Sequence, residues 1–241
     1  MRIASNLAEV RERIAQAANR AGRQPDDVAL MAVSKTHPAS AILEAAAAGQ
    51  HLFGENRVQE FAGKCEELKA AGIANARFHL IGHLQSNKAA KAAELLDAVD
   101  SVDSLRLAER LNAAASRLNR RLDVLIEVNI GGEAGKSGLA PASDELQALL
   151  EAQPRLPSLA IRGLMTVPPF TAEPEGARPY FRQLRELRDR LRASSGLKLP
   201  ELSMGMSHDF EVAIEEGSTC VRIGTAIFGA RMQPAKHEGV K

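Results

Sequence analysis

The sequence contains no tryptophan, a single tyrosine and only two cysteines. Its 31 lysines and arginines nearly balance its 30 aspartates and glutamates, and aromatic residues make up 3% of the chain. Nucleic-acid-binding surfaces combine clustered basic residues with stacking aromatic rings, so this composition argues against a nucleic-acid partner. Cys65 and Cys220 lie far apart and outside any CxxC pattern, which predicts two reduced thiols buried as packing residues.

The sequence also lacks any apolar run long enough to span a bilayer, and its first residues lack the apolar core of a secretory signal. We therefore expect a cytoplasmic protein without a membrane partner. With 241 residues, 45% of them hydrophobic, the chain is predicted to form one domain over residues 1–241, with a C-terminal tail over residues 230–241. An amphipathic helix over residues 1–22 is predicted to pack on this domain. Its apolar stripe consists of Ile3, Leu7, Val10, Ile14 and Ala17.

Apolar segments of strand length alternate along the chain with segments typical of helices. Strands are predicted over residues 27–35, 51–56, 77–82, 98–102, 123–130, 159–167, 201–205 and 219–224. Helices are predicted over residues 39–48, 57–71, 86–96, 105–120, 143–152, 178–193 and 210–216. Strict alternation favours a parallel sheet of the α/β class, and eight strands are the number that closes a (β/α)8 TIM barrel. An open doubly wound sheet is the alternative.

The first predicted strand is apolar until it reaches Ser34 and Lys35. An apolar strand that is covered on both faces has no room for a solvated ammonium group. Desolvation favours the neutral amine, and a neutral amine can attack an aldehyde to form the Schiff base by which pyridoxal phosphate (PLP) is held. The alternative is that Lys35 simply ends the strand and extends into water, as most strand-terminal lysines do.

Chemistry in a TIM barrel takes place at the carboxyl ends of the strands, and most of the side chains predicted there are polar. They are Lys35, Asn56, His83, Asn129, Thr166, Ser207, Arg222 and Thr225. The loops after the seventh and eighth strands of this fold often bind phosphate through backbone N–H groups. In this chain both loops combine glycine with a hydroxyl group, at Gly205 with Ser207 and at Gly224 with Thr225. Together with Lys35, they predict a pocket for a phosphorylated aldehyde.

Other motifs support competing functions less well. The segment Gly131–Ser137 resembles a Walker A loop, but Ile130 occupies the position of the first glycine, so nucleotide hydrolysis is not expected. His79 and His83 are four residues apart, as in a helical metal pair, but Ile81 and Gly82 between them continue a predicted strand and no HExxH glutamate is present, so no metal site is expected. Acidic residues near the strand ends are not spaced so as to force an acid–base pair. They are Glu55, Asp100 and Glu127.

Six ordered motifs run through nearly the whole chain. They are residues 33–36 (VSKT), 54–60 (GENRVQE), 78–88 (FHLIGHLQSNK), 163–166 (GLMT), 203–207 (SMGMS) and 221–229 (VRIGTAIFG). In these motifs the chain resembles the YggS/PROSC family of pyridoxal phosphate homeostasis proteins. Two positions differ from common forms of that family: His83, where proline is also found, and His208, which is often acidic. The resemblance implies a fold-type III PLP barrel, similar to the N-terminal domain of alanine racemase.

The same resemblance implies roles for individual residues. Lys35 would form the Schiff base with PLP, and Asn56 would line the cofactor site. Arg222 would face the pyridine nitrogen. The phosphate would be held by Ser207, Gly224 and Thr225. No catalytic residue and no metal ligand are implied.

The implied function is the storage, buffering or delivery of PLP by a monomer that passes it to apo PLP-dependent enzymes, with little or no catalysis. An arginine beside the pyridine nitrogen disfavours protonation of the ring, because two cations would then be adjacent, and this weakens the ring as an electron sink. Racemases of this architecture use a second base, a tyrosine from a separate β-domain. The sequence ends soon after the eighth strand, and its one tyrosine, Tyr180, falls in a predicted outer helix. A weakly active PLP-dependent racemase or lyase is the alternative.

Overall fold

Eight parallel strands close into a barrel in the computed structural model, which describes residues 2–73 and 75–229. Met1, Ala74 and the predicted tail over residues 230–241 lie outside the described residues. The strands are β1 (Ala29–Val33), β2 (Leu52–Glu55), β3 (Arg77–Leu80), β4 (Ala98–Val102), β5 (Leu122–Glu127), β6 (Leu159–Met165), β7 (Glu201–Met206) and β8 (Cys220–Ile223). Because β8 pairs in parallel with β1, the ring is complete. The predicted (β/α)8 barrel is confirmed, and the open doubly wound sheet is excluded.

Helices connect the strands on the outside of the barrel. They are α1 (Arg2–Arg20), α2 (Ala39–Ala47), α3 (Val58–Ala70), α4 (Ala89–Leu95), α5 (Leu105–Arg117), α6 (Asp144–Glu151), α7 (Arg178–Ser195), α8 (Phe210–Glu215) and α9 (Thr225–Phe228). The predicted helices are present, with ends displaced by a few residues. Helix α9 was not predicted, because its four residues are too few to show a helical period. Within the described residues, no helix is both long enough and apolar enough to cross a bilayer.

Local capping explains where several of these helices begin and end. The Oγ of Ser104 accepts a hydrogen bond from the N–H of Leu107 at the start of α5, at 3.3 Å. Ser143 does the same for Leu146 at the start of α6. Each such cap contributes about 1 kcal/mol to stability. Helix α7 ends at Gly196, whose φ of +71° is the left-handed conformation that glycine adopts without strain.

Helix α1 packs against α2, α8 and α9. Its predicted apolar stripe is buried, with Leu7 and Ala17 fully inaccessible. On its polar side, Arg13 and Arg20 pair with Glu211 of α8 at 2.8 and 3.0 Å. The helix therefore braces the two short helices that follow β7 and β8.

The main core lies between the barrel and its helices. Phe78 of β3 stacks on Phe53 of β2 at 5.4 Å and contacts Phe61 of α3 at 4.6 Å between ring centroids. These contacts join two strands to a helix by apolar burial. The opposite face of each strand points into the barrel, where several polar residues are buried. They are His79, Asp100, Glu127, Ser203 and Arg222.

Candidate functional site

Four neighbouring strands, in the order β7, β8, β1 and β2, account for all of the predicted binding residues. Ser207 follows β7, Gly224 and Thr225 follow β8, Lys35 follows β1, and Asn56 follows β2; Arg222 lies within β8. Carboxyl ends of parallel strands meet at one face of the barrel. The closed ring thus brings together residues from positions 35 to 225 in one sector, which we call the β7–β2 sector.

Lys35 is partly buried, and both of its neighbours in sequence are fixed by hydrogen bonds. Ser34 is fully buried; its N–H donates to the carbonyl oxygen of Gly54 at 3.0 Å, and its Oγ donates to Glu55 at 2.7 Å. Thr36 has a φ of +66°, a strained conformation for this residue type, and its N–H donates to Glu60. The backbone that carries Lys35 is therefore held on both sides.

A buried lysine, Lys64 of α3, joins these contacts. Its Nζ donates to the carbonyl oxygen of Ser34 at 3.1 Å, to Glu55 at 2.9 Å and to Glu60 at 3.0 Å. Burial raises the pKa of Glu55 even with Lys64 beside it. We call these four residues the Lys64 network. Sequence reasoning missed it, because a lysine in a charged helix usually points into water.

Asn56 is placed by a close approach between two loops. A Cβ atom on Gly82 would come within 2.3 Å of the Asn56 carbonyl oxygen and 2.6 Å of its Oδ1, so only glycine fits there. The carbonyl oxygen of Gly82 in turn accepts a hydrogen bond from Ser101 at 2.7 Å. The β3 side of the barrel therefore holds Asn56 at the edge of the β7–β2 sector.

The loop after β7 depends on Gly205. Its φ is +94°, and a Cβ atom there would lie 2.6 Å from the Cβ of Ala213 in α8. The N–H of Met206 donates to Asp209 at 2.7 Å, which shapes the turn that presents Ser207. Ser207 is partly buried, and its hydroxyl lies on the loop adjacent to β8.

The loop after β8 begins at Gly224, which precedes α9. Its carbonyl oxygen accepts hydrogen bonds from Ile227 and Phe228, both at 2.9 Å. The ring of Phe228 stacks on His37 at 5.0 Å, and this contact ties α9 to the loop that carries Lys35. Thr225 is exposed beside them. A glycine and hydroxyl groups on adjacent loops are a donor set that suits a phosphate group.

Arg222 is the penultimate residue of β8 and lies near the carboxyl end of that strand. It is only 3% exposed, with its guanidinium inside the barrel. Its two terminal nitrogens donate to the Oγ of Ser203 and to the carbonyl oxygen of Thr166, both at 2.7 Å. Burial lowers the pKa of Arg222, but a guanidinium remains charged in proteins. The inward direction of this side chain was not predicted, because alternation within a strand buried on both faces cannot be read from the sequence.

Glu127, the last residue of β5, is a buried carboxyl group whose Oε2 has no hydrogen-bond partner among the described residues. Burial, with a smaller contribution from Asp103, raises its pKa to about 7. Glu55 and Asp100 have other partners: Lys64 and His79, respectively. Glu127 can therefore gain or lose a proton near neutral pH.

The remaining strand-end candidates form separate local contacts. Thr166 is fully buried and donates to a backbone carbonyl. Asn129 donates to the carbonyl oxygen of Glu133 at 3.0 Å, and His83 is exposed with its Nδ1 3.0 Å from Asp103. These side chains therefore stabilise the backbone and loops around them.

The cysteines and histidines form no metal centre in the part of the chain that the structure describes. No group of three histidine, cysteine or acidic side chains in residues 2–73 and 75–229 is placed to hold a metal ion. Cys220 is buried, as expected. Cys65 is only half-buried, so the prediction of a buried thiol is wrong there.

The fold and the candidate site define a class, the barrels of the alanine racemase type. The defining features are a closed parallel barrel, a lysine after β1, and glycine-containing loops after β7 and β8. The family model described as "Alanine racemase, N-terminal domain" matches residues 5–232. An alanine racemase of Clostridium difficile superposes with a TM-score of 0.71 at 17% identity, and the match covers 95% of this chain and 56% of the racemase. At this identity the likeness concerns the fold alone.

Closer relatives narrow the class to one family. Proteins named "Pyridoxal phosphate homeostasis protein" from Aquifex aeolicus and Pseudomonas aeruginosa are 47% and 50% identical to this chain. The matches cover 96% and 95% of this chain and 99% and 96% of the relatives. PipY of Synechococcus elongatus, determined with PLP bound, has a TM-score of 0.82 at 42% identity over 94% of this chain and 100% of PipY. The chain belongs to the family of pyridoxal phosphate homeostasis proteins.

Proposed function

We propose that this protein binds pyridoxal 5'-phosphate through a Schiff base to Lys35 and acts in PLP homeostasis, by storing, buffering or delivering the cofactor. The observation that carries the proposal is the β7–β2 sector, which places Lys35 between the loops after β7 and β8 on one side and Asn56 on the other. The homeostasis proteins at 47% to 50% identity and the PLP-bound PipY support the same cofactor.

Each residue of the sector has a defined task in this proposal. The hydroxyls of Ser207 and Thr225 and the backbone of Gly224 bind the phosphate, and Asn56 lines the ring. Arg222, held by Ser203 and Thr166, faces the pyridine nitrogen and keeps it unprotonated. The cofactor, when bound, supplies a reactive aldehyde and a conjugated ring. The Lys64 network holds the backbone of Lys35 so that its amine meets that aldehyde.

The proposed protein is a carrier rather than an enzyme. Two-base chemistry needs a second proton donor at the cofactor, and the one tyrosine of the chain, Tyr180, lies in the outer helix α7. Arg222 also weakens the ring as an electron sink. We further propose that the protein is a cytoplasmic monomer and a single domain over residues 1–241, and that apo PLP-dependent enzymes receive its cofactor.

One observation favours a second candidate, a weak PLP-dependent racemase or lyase. Glu127 lies inside the barrel with an unpartnered oxygen and a pKa of about 7. Such a carboxyl group can exchange a proton near neutral pH. Slow exchange of the α-proton of an added amino acid, lost in Glu127→Gln but not in the exposed Glu66→Gln, would favour this candidate.

The proposal is tested by reducing the PLP-loaded protein with borohydride and locating the pyridoxyl group by mass spectrometry. We expect the label on Lys35 alone and no label in Lys35→Ala. Lys88→Ala and Lys136→Ala are matched controls that should label as the wild type does. A label on another lysine in the wild-type protein would overturn the assignment.

A further inference from the structure

The barrel contains a cavity of about 260 Å³ at its N-terminal face, the end opposite Lys35. Residues from all eight strands line it. Bulky branched side chains usually fill the interior of a TIM barrel. Here small residues begin three of the strands, Ala29 in β1, Ala98 in β4 and Cys220 in β8, and they leave this end of the barrel open. We call this space the N-terminal cavity.

His79 is the buried polar group of this cavity. It is 8% exposed, and its Nδ1 lies 3.1 Å from Oδ1 of Asp100, which is itself 2% exposed. The Nε2 of His79 has no hydrogen-bond partner among the described residues. Because the carboxylate holds the Nδ1 proton, Nε2 is the ring atom left to meet a ligand. Burial opposes the charged ring, but Asp100 outweighs it and raises the pKa of His79, so Nε2 is favoured as a donor.

The outer part of the cavity carries charges of both signs. Arg77 faces Asp123 at 3.9 Å, and Arg162 pairs with Glu201 at 3.1 Å. These four side chains are 36% to 58% exposed, so they can reorient toward a ligand at small cost. With the His79–Asp100 pair included, the cavity is lined by three basic side chains and three carboxylates. A surface with this balance favours a ligand that carries both charges and no net charge.

We propose that the N-terminal cavity is a second ligand site, which binds a small amino acid as its zwitterion. The carboxylate of the ligand accepts the hydrogen bond from Nε2 of His79, and its ammonium group meets Asp123 or Glu201. Drug-sized ligands occupy cavities of about 300–1,000 Å³; a cavity of about 260 Å³ therefore takes a smaller molecule. The site shares no residue with the β7–β2 sector and is independent of the function proposed for it.

The test is a titration of the PLP-loaded protein with alanine, propionate and propylamine, followed by NMR of the histidine ring signals. We expect alanine to shift the His79 signal saturably and propionate to bind about tenfold more weakly, because it lacks the ammonium group. Propylamine should leave His79 unchanged. The signals of His83 and His208, which lie at the opposite face, serve as internal controls for binding near Lys35.

Two variants and one control complete the test. Ala98→Leu fills the cavity without replacing an ionisable residue, and His79→Gln removes the donor. Each should weaken alanine binding by about tenfold or more. Binding to His79→Gln is measured by calorimetry. The exposed Glu66→Gln, outside both sites, should leave alanine binding unchanged. The proposal is overturned if alanine causes no saturable shift of His79, if Ala98→Leu binds alanine as the wild type does, or if propionate binds as tightly as alanine.

Discussion

At the scale of single residues, Glu127 links the stability of the fold to pH. Its pKa is about 7 in the folded protein against an ordinary value of 4.5, because the carboxyl group is buried. The folded state therefore keeps a proton that the unfolded state has already released between these two values. The contribution of this group to stability is fully present below pH 4.5 and is lost as the pH rises toward 7.

Glu127→Gln should remove this dependence. Each unit of pKa difference corresponds to about 1.4 kcal/mol, so the variant should gain on the order of 3 kcal/mol over the wild type at pH 8 and little at about pH 4. Urea unfolding of both proteins without PLP at the two pH values measures the difference. The exposed Glu66→Gln should show no such gain, and an equal pH dependence in wild type and Glu127→Gln would contradict the argument.

The Lys64 network allows a second prediction about a single side chain. Lys64→Met leaves the fully buried Glu55 without its charged partner, which should reduce the free energy of unfolding by about 3–5 kcal/mol at neutral pH. It should also slow the covalent attachment of PLP, because Ser34 and Glu60 lose a shared contact. Urea unfolding and the rate of change in the absorption spectrum after PLP is added measure the two effects.

Lys69→Met is the matched control, since Lys69 is exposed on the same helix and should tolerate the change. In the double variant Lys64→Met with Glu55→Gln, much of the stability should return, because no buried charge remains. Slow PLP attachment in a double variant of restored stability would assign Lys64 a role in positioning Lys35. Attachment at the wild-type rate in Lys64→Met would remove that role.

At the scale of elements, the loops after β7 and β8 act as a pair because their strands are adjacent. The double variant Ser207→Ala with Thr225→Ala should weaken PLP binding while leaving pyridoxal binding nearly unchanged. Each lost charge-assisted hydrogen bond to a phosphate contributes about 1.5–3 kcal/mol, and pyridoxal has no phosphate. Absorbance titrations with both ligands measure the ratio. Ser116→Ala, in the exposed part of α5, is the control, and equal losses for both ligands would place the phosphate elsewhere.

The order of the elements was predictable from the sequence, and the inward contacts were not. Alternating apolar and helical segments located β1 to β8, and a glycine with a hydroxyl group marked the loops after β7 and β8 as candidate phosphate-binding loops. Two partners of the site were missed for different reasons. Ser203 binds Arg222 inside the barrel, where the strands are buried on both faces. Lys64 binds Glu55 from α3, in a helix with a weak amphipathic pattern. Both depend on pairing across the fold, which spacing along one segment does not reveal.

At the scale of the whole molecule, α1 should be held mainly by its apolar stripe. Leu7→Ala, at a fully buried position, should cost about 2–5 kcal/mol. Arg20→Gln, which removes partly exposed ion pairs to Glu211 and Glu215, should cost less than about 1 kcal/mol, and less still in high salt. Urea unfolding at two salt concentrations compares them. A larger loss in Arg20→Gln would show that ion pairs hold the helix instead.

The contact between α1 and α9 also determines at what point during synthesis of the chain the site can form. Asn6 donates to the carbonyl oxygen of Ile227, 221 residues later in the chain. A ribosome adds about 5–20 residues per second. The residues between Asn6 and Ile227 therefore take roughly 10–40 s to synthesise, and α1 lacks these partners during that time. During that time Lys35 is already made, but the loops that hold Ser207 and Thr225 are not. We therefore expect nascent chains to be unable to retain PLP, so that only finished molecules withdraw the aldehyde from the cell's free pool.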